Sequence, residues 1–244
     1  MLVRVLLAAI FAGVIAGLFS TAVQSHRVIP LILEAERYEG DGAADGHSHG
    51  TAESGQAGDE KTSEQIVEET ESWAPTDGGE RLFYTGLANI AVGVAYALLL
   101  TAAVLALNQT MTLRSGLAWG AAGFVVFVLA PNFGLPPELP GMQAGDLQAR
   151  QIWWFATVIL TAIGLGLFAF KQGLVWALLG VALIIAPHLY GAPQPLSHES
   201  LVPANLAADF VMATLVSSLL FWLFLGAALG YGFEKAMKQE EASS

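Results

Sequence analysis

The chain has 244 residues, 55% of them hydrophobic and only 13% charged, with a mean hydropathy of +0.57. Soluble domains carry roughly 25% charge, so this composition selects lipid as the solvent. The formal net charge of −11 belongs to one segment, because fourteen of the 21 acidic residues lie between Glu34 and Glu80. Ten scattered basic residues exclude a nucleic-acid partner, and the lack of cysteine excludes disulfides, thiolate metal sites and iron–sulfur clusters.

A helix that crosses a bilayer needs ~20 mostly apolar residues. Six stretches approach this, at 5–23, 82–107, 117–131, 152–170, 174–187 and 206–233. Asp209 is the only acid inside them and none holds Lys or Arg, as expected when a mid-membrane charge costs ~2.5–3.5 kcal/mol. The third and fifth are short, and read as tilted spans or re-entrant segments. The expected class is an all-α integral membrane protein of about six transmembrane helices.

The first stretch also resembles a signal peptide, with Arg4, an apolar run and Ser20-Thr21-Ala22. Its length favours a retained helix. So do Ala9, Gly13 and Gly17, which fall four apart on one face, the pattern by which helices approach closely in lipid. Gly226 and Gly230 repeat that pattern in the last stretch. These features divide the chain into a first helix (1–33), an acidic His-bearing loop (34–80), a five-helix membrane domain (81–235) and a tail (236–244). The loop is Gly-, Ala- and Ser-rich without apolar period, and reads as largely disordered, with a helical turn around 64–71.

Lys and Arg near short loops set orientation. Arg4, Arg114, Lys171, Lys235 and Lys238 fall at one set of helix ends and Arg150 at the other, which puts both termini in the cytoplasm. The acidic loop and the Pro-rich connections then face outward, and Trp153, Trp154 and Tyr190 are expected to form an outer aromatic belt.

The middle of the chain repeats itself, over 81–141 and 150–198. One copy reads Gly116-Leu117-Ala118-Trp119, Gly123 and Ala130-Pro131-Asn132. The other reads Gly173-Leu174-Val175-Trp176, Gly180 and Ala186-Pro187-His188, with a slip of one residue between Gly and Ala-Pro. Arg81 and Arg150 precede the two copies. The unit is a helical hairpin used twice in the same orientation, a parallel repeat of the kind found in transporters. Each copy ends in Ala-Pro and then a polar residue. Proline is expected to break the helix there and free carbonyls of the preceding turn, which is tolerated near a membrane where backbone is buried in protein or lines a wet cavity.

This places Asn132 and His188 among the candidate ligands. His198 follows in the same connection, with Glu199 beside it. Glu34 and Glu36 come after the first helix and offer carboxylates at the same face. His47-Ser48-His49 lies in the acidic loop, and imidazole suits first-row transition metals. Asn89 and Asp209 are further polar groups at or within the membrane, Asp209 being placed to cap a helix N-terminus. There is no Walker motif, no HExxH and no Ser, His and acid at nucleophile spacing, so the chain is not expected to be an enzyme and no permanently bound cofactor is expected.

At Pro30-Leu31-Ile32-Leu33-Glu34-Ala35-Glu36, the His- and acid-bearing loop, and Ala186-Pro187-His188-Leu189-Tyr190-Gly191-Ala192-Pro193-Gln194-Pro195, the sequence resembles the CbtA family of predicted cobalt transporter subunits. The resemblance implies an inner-membrane protein of bacteria or archaea for Co²⁺ uptake, often tied to cobalamin synthesis. It also implies a small CbtB-like partner with one membrane helix and a His-bearing tail. The reading is a transporter subunit embedded in the bilayer. His188 binds the ion at the mouth, with Asn132 at the repeat-related position and His47, His49, His198, Glu34 and Glu36 as further ligands. A non-transporting scaffold subunit and a carrier of another divalent metal such as nickel are the alternatives, and a homo-oligomer is compatible with either.

Overall fold

The computed structural model describes residues 2–44, 75–76, 78–197 and 199–241. Every regular element among them is helical. The order is α1 (Leu2–Arg27), α2 (Ile29–Ala44), α3 (Gly79–Ala106), α4 (Leu113–Phe124), a π-helical turn (Val125–Leu129), α5 (Ala130–Asn132), α6 (Leu147–Phe170), α7 (Leu174–Tyr190) and α8 (Ala204–Glu241). α4, the π turn and α5 form one continuous rod, Leu113–Asn132, so five helices are long and apolar enough to cross a bilayer. α7 is a shorter sixth apolar helix of 17 residues, or about 25 Å against a hydrocarbon core of about 30 Å. Only 28–33% of each apolar window is buried inside the protein, so most of the apolar surface points outward, as it does where the solvent is lipid. The chain is a multi-pass membrane protein.

Glycine decides which helices touch. A Cβ on Gly13 or Gly17 of α1 would strike the backbone of Val94 or Ile90 of α3, and one on Gly93 would strike the Gly13 carbonyl. α4 meets α8 in the same way, with Gly116, Gly120, Gly226 and Gly230 in backbone-to-backbone contact. The small-residue faces expected in the first and last helices are therefore the two closest seams of the bundle. α1 packs into it, with Val5, Ala9, Ala12 and Ala16 in the main core beside Leu100, Trp222, Leu225 and Leu229. α6 and α7 form a separate antiparallel pair, joined at Gly164 and Gly180 and attached to the rest through the π turn and α5.

The repeat is present as two up-and-down helix pairs, but the copies are packed differently. α6 packs on α7, whereas α3 packs on α1 and α4 on α8. The one-residue slip has a structural counterpart. The first copy holds one residue more between Gly123 and Ala130 than the second holds between Gly180 and Ala186, and the π turn Val125–Leu129 lies inside that interval. An inserted residue is absorbed by one turn of i→i+5 bonding. The turn carries Phe127 onto Trp222, with stacked rings 5.5 Å apart, and both meet Tyr96, at 5.1 and 4.6 Å.

The two ends of the bundle differ. Arg4, Arg114, Lys171 and Lys235 lie at one end, where Gly230 meets Thr112 and Gly232 meets Ala8. At the other end α2 and the two Pro-rich connections make a cap. Val28, Ala35, Leu139, Val202, Leu206 and Phe210 form its core, with Leu31, Ile32 and Tyr38 packed against them. Val28, Leu31, Ile32, Ala35 and Tyr38 recur at the spacing of one helix face, which is why the chain stays helical to Ala44 instead of opening into loop after Leu33.

Three expectations are corrected. Pro187 does not end its helix: α7 continues through it to Tyr190, where Gly191 at φ +91 stops it. Trp153 is not part of an exposed belt, since it is buried and turned into the protein; Tyr190, at 89% exposure, does fit one. The third span is not short, because Thr112 caps it through reciprocal bonds with Ser115 and starts it at Leu113.

If the glycine seams hold the bundle, Gly226→Ala should lower the thermal midpoint in detergent, at a cost of about 1–3 kcal/mol for overpacking, because its Cβ would collide with the Gly116 carbonyl. Gly166→Ala, whose Cβ meets nothing within 4 Å, should leave the midpoint unchanged or slightly higher. Equal midpoints for both variants would refute the assignment.

Candidate functional site

Both copies of the repeat end in the cap, and Trp153 on α6 joins them. Its indole Nε1–H donates to the Pro187 carbonyl oxygen at 3.1 Å. Its ring edge lies against Gly134, where any Cβ would strike the indole. The same ring meets His188 edge-on at 5.7 Å, and Phe133 meets His188 from another side at 6.3 Å. The two Ala-Pro turns, 56 residues apart in sequence, thus sit side by side with one tryptophan between them. The contact across the repeat pairs Phe133 with His188, while Asn132 lies half-buried at the end of α5.

The arginine that precedes each copy has an acidic partner. Arg81 Nη2 donates to Glu36 Oε1 at 2.9 Å, and Arg150 Nη2 donates to Glu138 Oε2 at 2.8 Å. All four side chains keep some solvent access, so each pair is worth at most about 1 kcal/mol. Their role is positional: one ties α2 to the head of α3, the other ties a Pro-rich connection to the head of α6.

Between the two Pro-rich connections and the head of α8 lies a cleft of about 290 Å³. Gly134, Glu138, Gln143, Gln194, Glu199 and Ser200 are among its lining residues. Ser197 and Ser200 shape the second connection by accepting from the N–H groups of Glu199 and Val202. The cleft offers two carboxylates and two amide oxygens, all oxygen donors that a divalent cation accepts.

His188 is half-buried on the last turn of α7, beside this region. Glu34 is exposed on α2 and Glu36 is held by Arg81. His47, His49 and His198 lie outside the described residues. Among the described residues no three of His, Asp and Glu gather closely enough to hold a metal ion. Asn89 has a structural role: its Nδ2 donates to Thr21 Oγ1 and Gln24 Oε1, both at 3.1 Å, and clamps α3 to α1. Asp209 is exposed near the head of α8.

Reading by sequence missed the position of Trp153, the carboxylate of Glu138 and the amides of Gln143 and Gln194. For Glu138 a signal existed, since Arg150 is the one Lys or Arg in or beside the two Pro-rich connections and needed a partner. Nothing in the local sequence marks the inward turn of Trp153, which depends on where Gly134 and Pro187 arrive.

Trp153→Phe keeps an aromatic ring, smaller than the indole, and removes the donor. The Pro187 carbonyl still accepts from Gly191 N–H at 3.1 Å, so the loss is one interhelical bond, about 1 kcal/mol, together with part of the packing of a buried side chain. Thermal unfolding in detergent should show a small drop for this variant and a larger one for Trp153→Ala, and equal drops would mean that the ring kept by Phe contributes no packing at this site.

The family described as probable cobalt transporter subunit (CbtA) matches residues 2–234. Neither a search of curated proteins nor one of solved structures finds a match. With the match running over both copies of the repeat, the cap and all the spanning helices, the chain belongs to the CbtA family of probable cobalt transporter subunits.

Proposed function

We propose that this chain is the membrane-embedded subunit of a Co²⁺ uptake system in the cytoplasmic membrane of a bacterium or archaeon, with both termini in the cytoplasm and the cap outside. The carrying observation is the family match over residues 2–234 together with the meeting of two repeat-related turns around Trp153, beside a cleft that holds Glu138 and Glu199. The concentration of Arg4, Arg114, Lys171 and Lys235 at the opposite end supports the orientation.

On this reading the acidic segment, with fourteen carboxylates between Glu34 and Glu80, raises the local concentration of divalent cations through its field. That field attracts Co²⁺, Ni²⁺ and Zn²⁺ alike, so it does not select. Selection falls to ligand type and geometry. His188 supplies imidazole at the mouth, Asn132 an amide at the related position, and Glu199 a carboxylate from the cleft. His47, His49 and His198 are further ligands, and Glu34 supplies exposed charge on the same face. Glu36, held by Arg81, serves the frame before it serves an ion. A small CbtB-like subunit with one helix and a His-bearing tail completes the ligand set, and cobalamin synthesis uses the imported metal.

One observation favours a second reading, a scaffold subunit that does not transport. No three metal-binding side chains gather among the described residues, which suits a chain that only positions another subunit. Nickel as cargo is a variant of the first reading.

Radiolabelled Co²⁺ uptake into cobalt-starved cells that make this chain and its small partner separates them. Under the first reading His188→Ala lowers uptake at limiting Co²⁺ at least about ten-fold, as outer-shell and ligand losses at metal sites do, with normal amounts in the membrane. Equal uptake by both proteins removes His188 from the path. Uptake of ⁶³Ni²⁺ in preference to Co²⁺ changes the cargo, and no uptake by either protein with the partner present favours the scaffold.

A further inference from the structure

At the basic end, far from the cap, a groove of about 440 Å³ opens between α1 and α8. Ala8 and Gly232 meet on its lining, and Phe11 and Ile15 line it further along. Arg4 and Lys235 stand at its rim, one from each helix. We propose that this groove binds one anionic phospholipid, with the phosphate between Arg4 and Lys235 and an acyl chain lying along Phe11 and Ile15.

Charge gives the first reason. Both cations are exposed, and the ion pairs among the described residues are the two in the cap. The acid next to Lys235 is turned away, since Glu234 Oε1 accepts from Leu113 N at 2.9 Å and serves the head of α4. Two cations from different helices thus share one opening, and among the described residues no anion is paired with either. The second reason is length. From Arg4 to Ile15 the groove follows α1 for about 16 Å, an apolar trough that suits a chain and gives nothing to a free phosphate. The third is depth. Arg4 is in the first turn of a spanning helix, at the level where headgroups lie, and basic pockets between spanning helices on that side select acidic headgroups. The lipid would close the α1–α8 seam on the side that protein leaves open.

The test is native mass spectrometry of the full chain in detergent. It is titrated with phosphatidylglycerol, with phosphatidylcholine of the same acyl chains, and with inorganic phosphate. Phosphatidylglycerol should bind at least ten-fold more tightly than phosphatidylcholine. Arg4→Gln with Lys235→Gln should weaken it roughly 30-fold, and Arg114→Gln with Lys171→Gln, at the same end but outside the groove, should change it less than three-fold. Because all four side chains are exposed, these variants keep the fold. Equal affinity for the two lipids, or equal loss in the two double variants, overturns the site. Displacement of phosphatidylglycerol by millimolar phosphate would leave an anion site without a lipid, and displacement by the small partner subunit would assign the groove to a protein helix.

Discussion

Helices in a bilayer gain nothing by hiding apolar side chains from one another, because lipid tails are as apolar as leucine. Close approach must therefore come from shape, and here it comes from glycine. Gly13, Gly17 and Gly93 let α1 and α3 touch backbone to backbone, and Gly116, Gly120, Gly226 and Gly230 do the same for α4 and α8. Near-contact of backbones multiplies dispersion contacts that are individually tiny. It also removes tolerance, since a single Cβ at most of these positions meets backbone rather than a movable side chain. The other features follow from these two seams. The clamp of Asn89 on Thr21 and Gln24 is in register only because α1 and α3 are fixed one turn away, and Trp222 can fill the centre only because Gly123 opposite it has no side chain.

The same constraint explains why two copies of one repeat pack differently. Positions 116, 120 and 123 in the first copy are all glycine, and each is closed by α8. In the second copy the matching positions are Gly173, Ala177 and Gly180. Gly173 has become a helix cap at φ +105, and only Gly180 makes a close contact, with Gly164 of α6. A helix with one glycine contact has one close neighbour, and α7 accordingly lies at the edge of the bundle. The extra residue of the first copy is taken up in the π turn, so that Gly134 still arrives at Trp153 from a rod that is one residue longer. Insertions of this kind keep both flanking helical faces in use, here one toward Trp222 and one toward Trp153.

Much of this was legible in the residues alone. Apolar length and the scarcity of charge mark the spans, and the spacing of small residues marks both seams, because in lipid those two properties are the whole of the local code. What was not legible depends on long-range arrival. Val28, Leu31, Ile32, Ala35 and Tyr38 carried the signal for α2, but the nearby acids and Gly40 suggest loop unless a cap core exists to receive that face. Pro187 reads as a helix stop because it lacks an N–H, yet the helix passes it, with Trp153 donating to its carbonyl and Gly191 ending the turn. His188 was visible as a candidate. Its neighbours, Phe133 and Trp153, were not, since they come from two other elements.

Those neighbours bear on how an ion could be held. An imidazole between two aromatic rings has its orientation limited by packing instead of by a carboxylate, and a first-row metal needs more than one donor. The oxygen donors of the cleft come from connections, Glu138 and Gln143 from one and Gln194 and Glu199 from the other, and Glu138 is already engaged by Arg150. On the proposed function, a ligand set drawn from two loops and the end of one helix would need donors from elsewhere, whether from this chain's acidic segment or from another subunit. Either source would place affinity under external control, which would suit the proposed carrier: a site that must release its ion is better built from donors that can leave than from a closed cage.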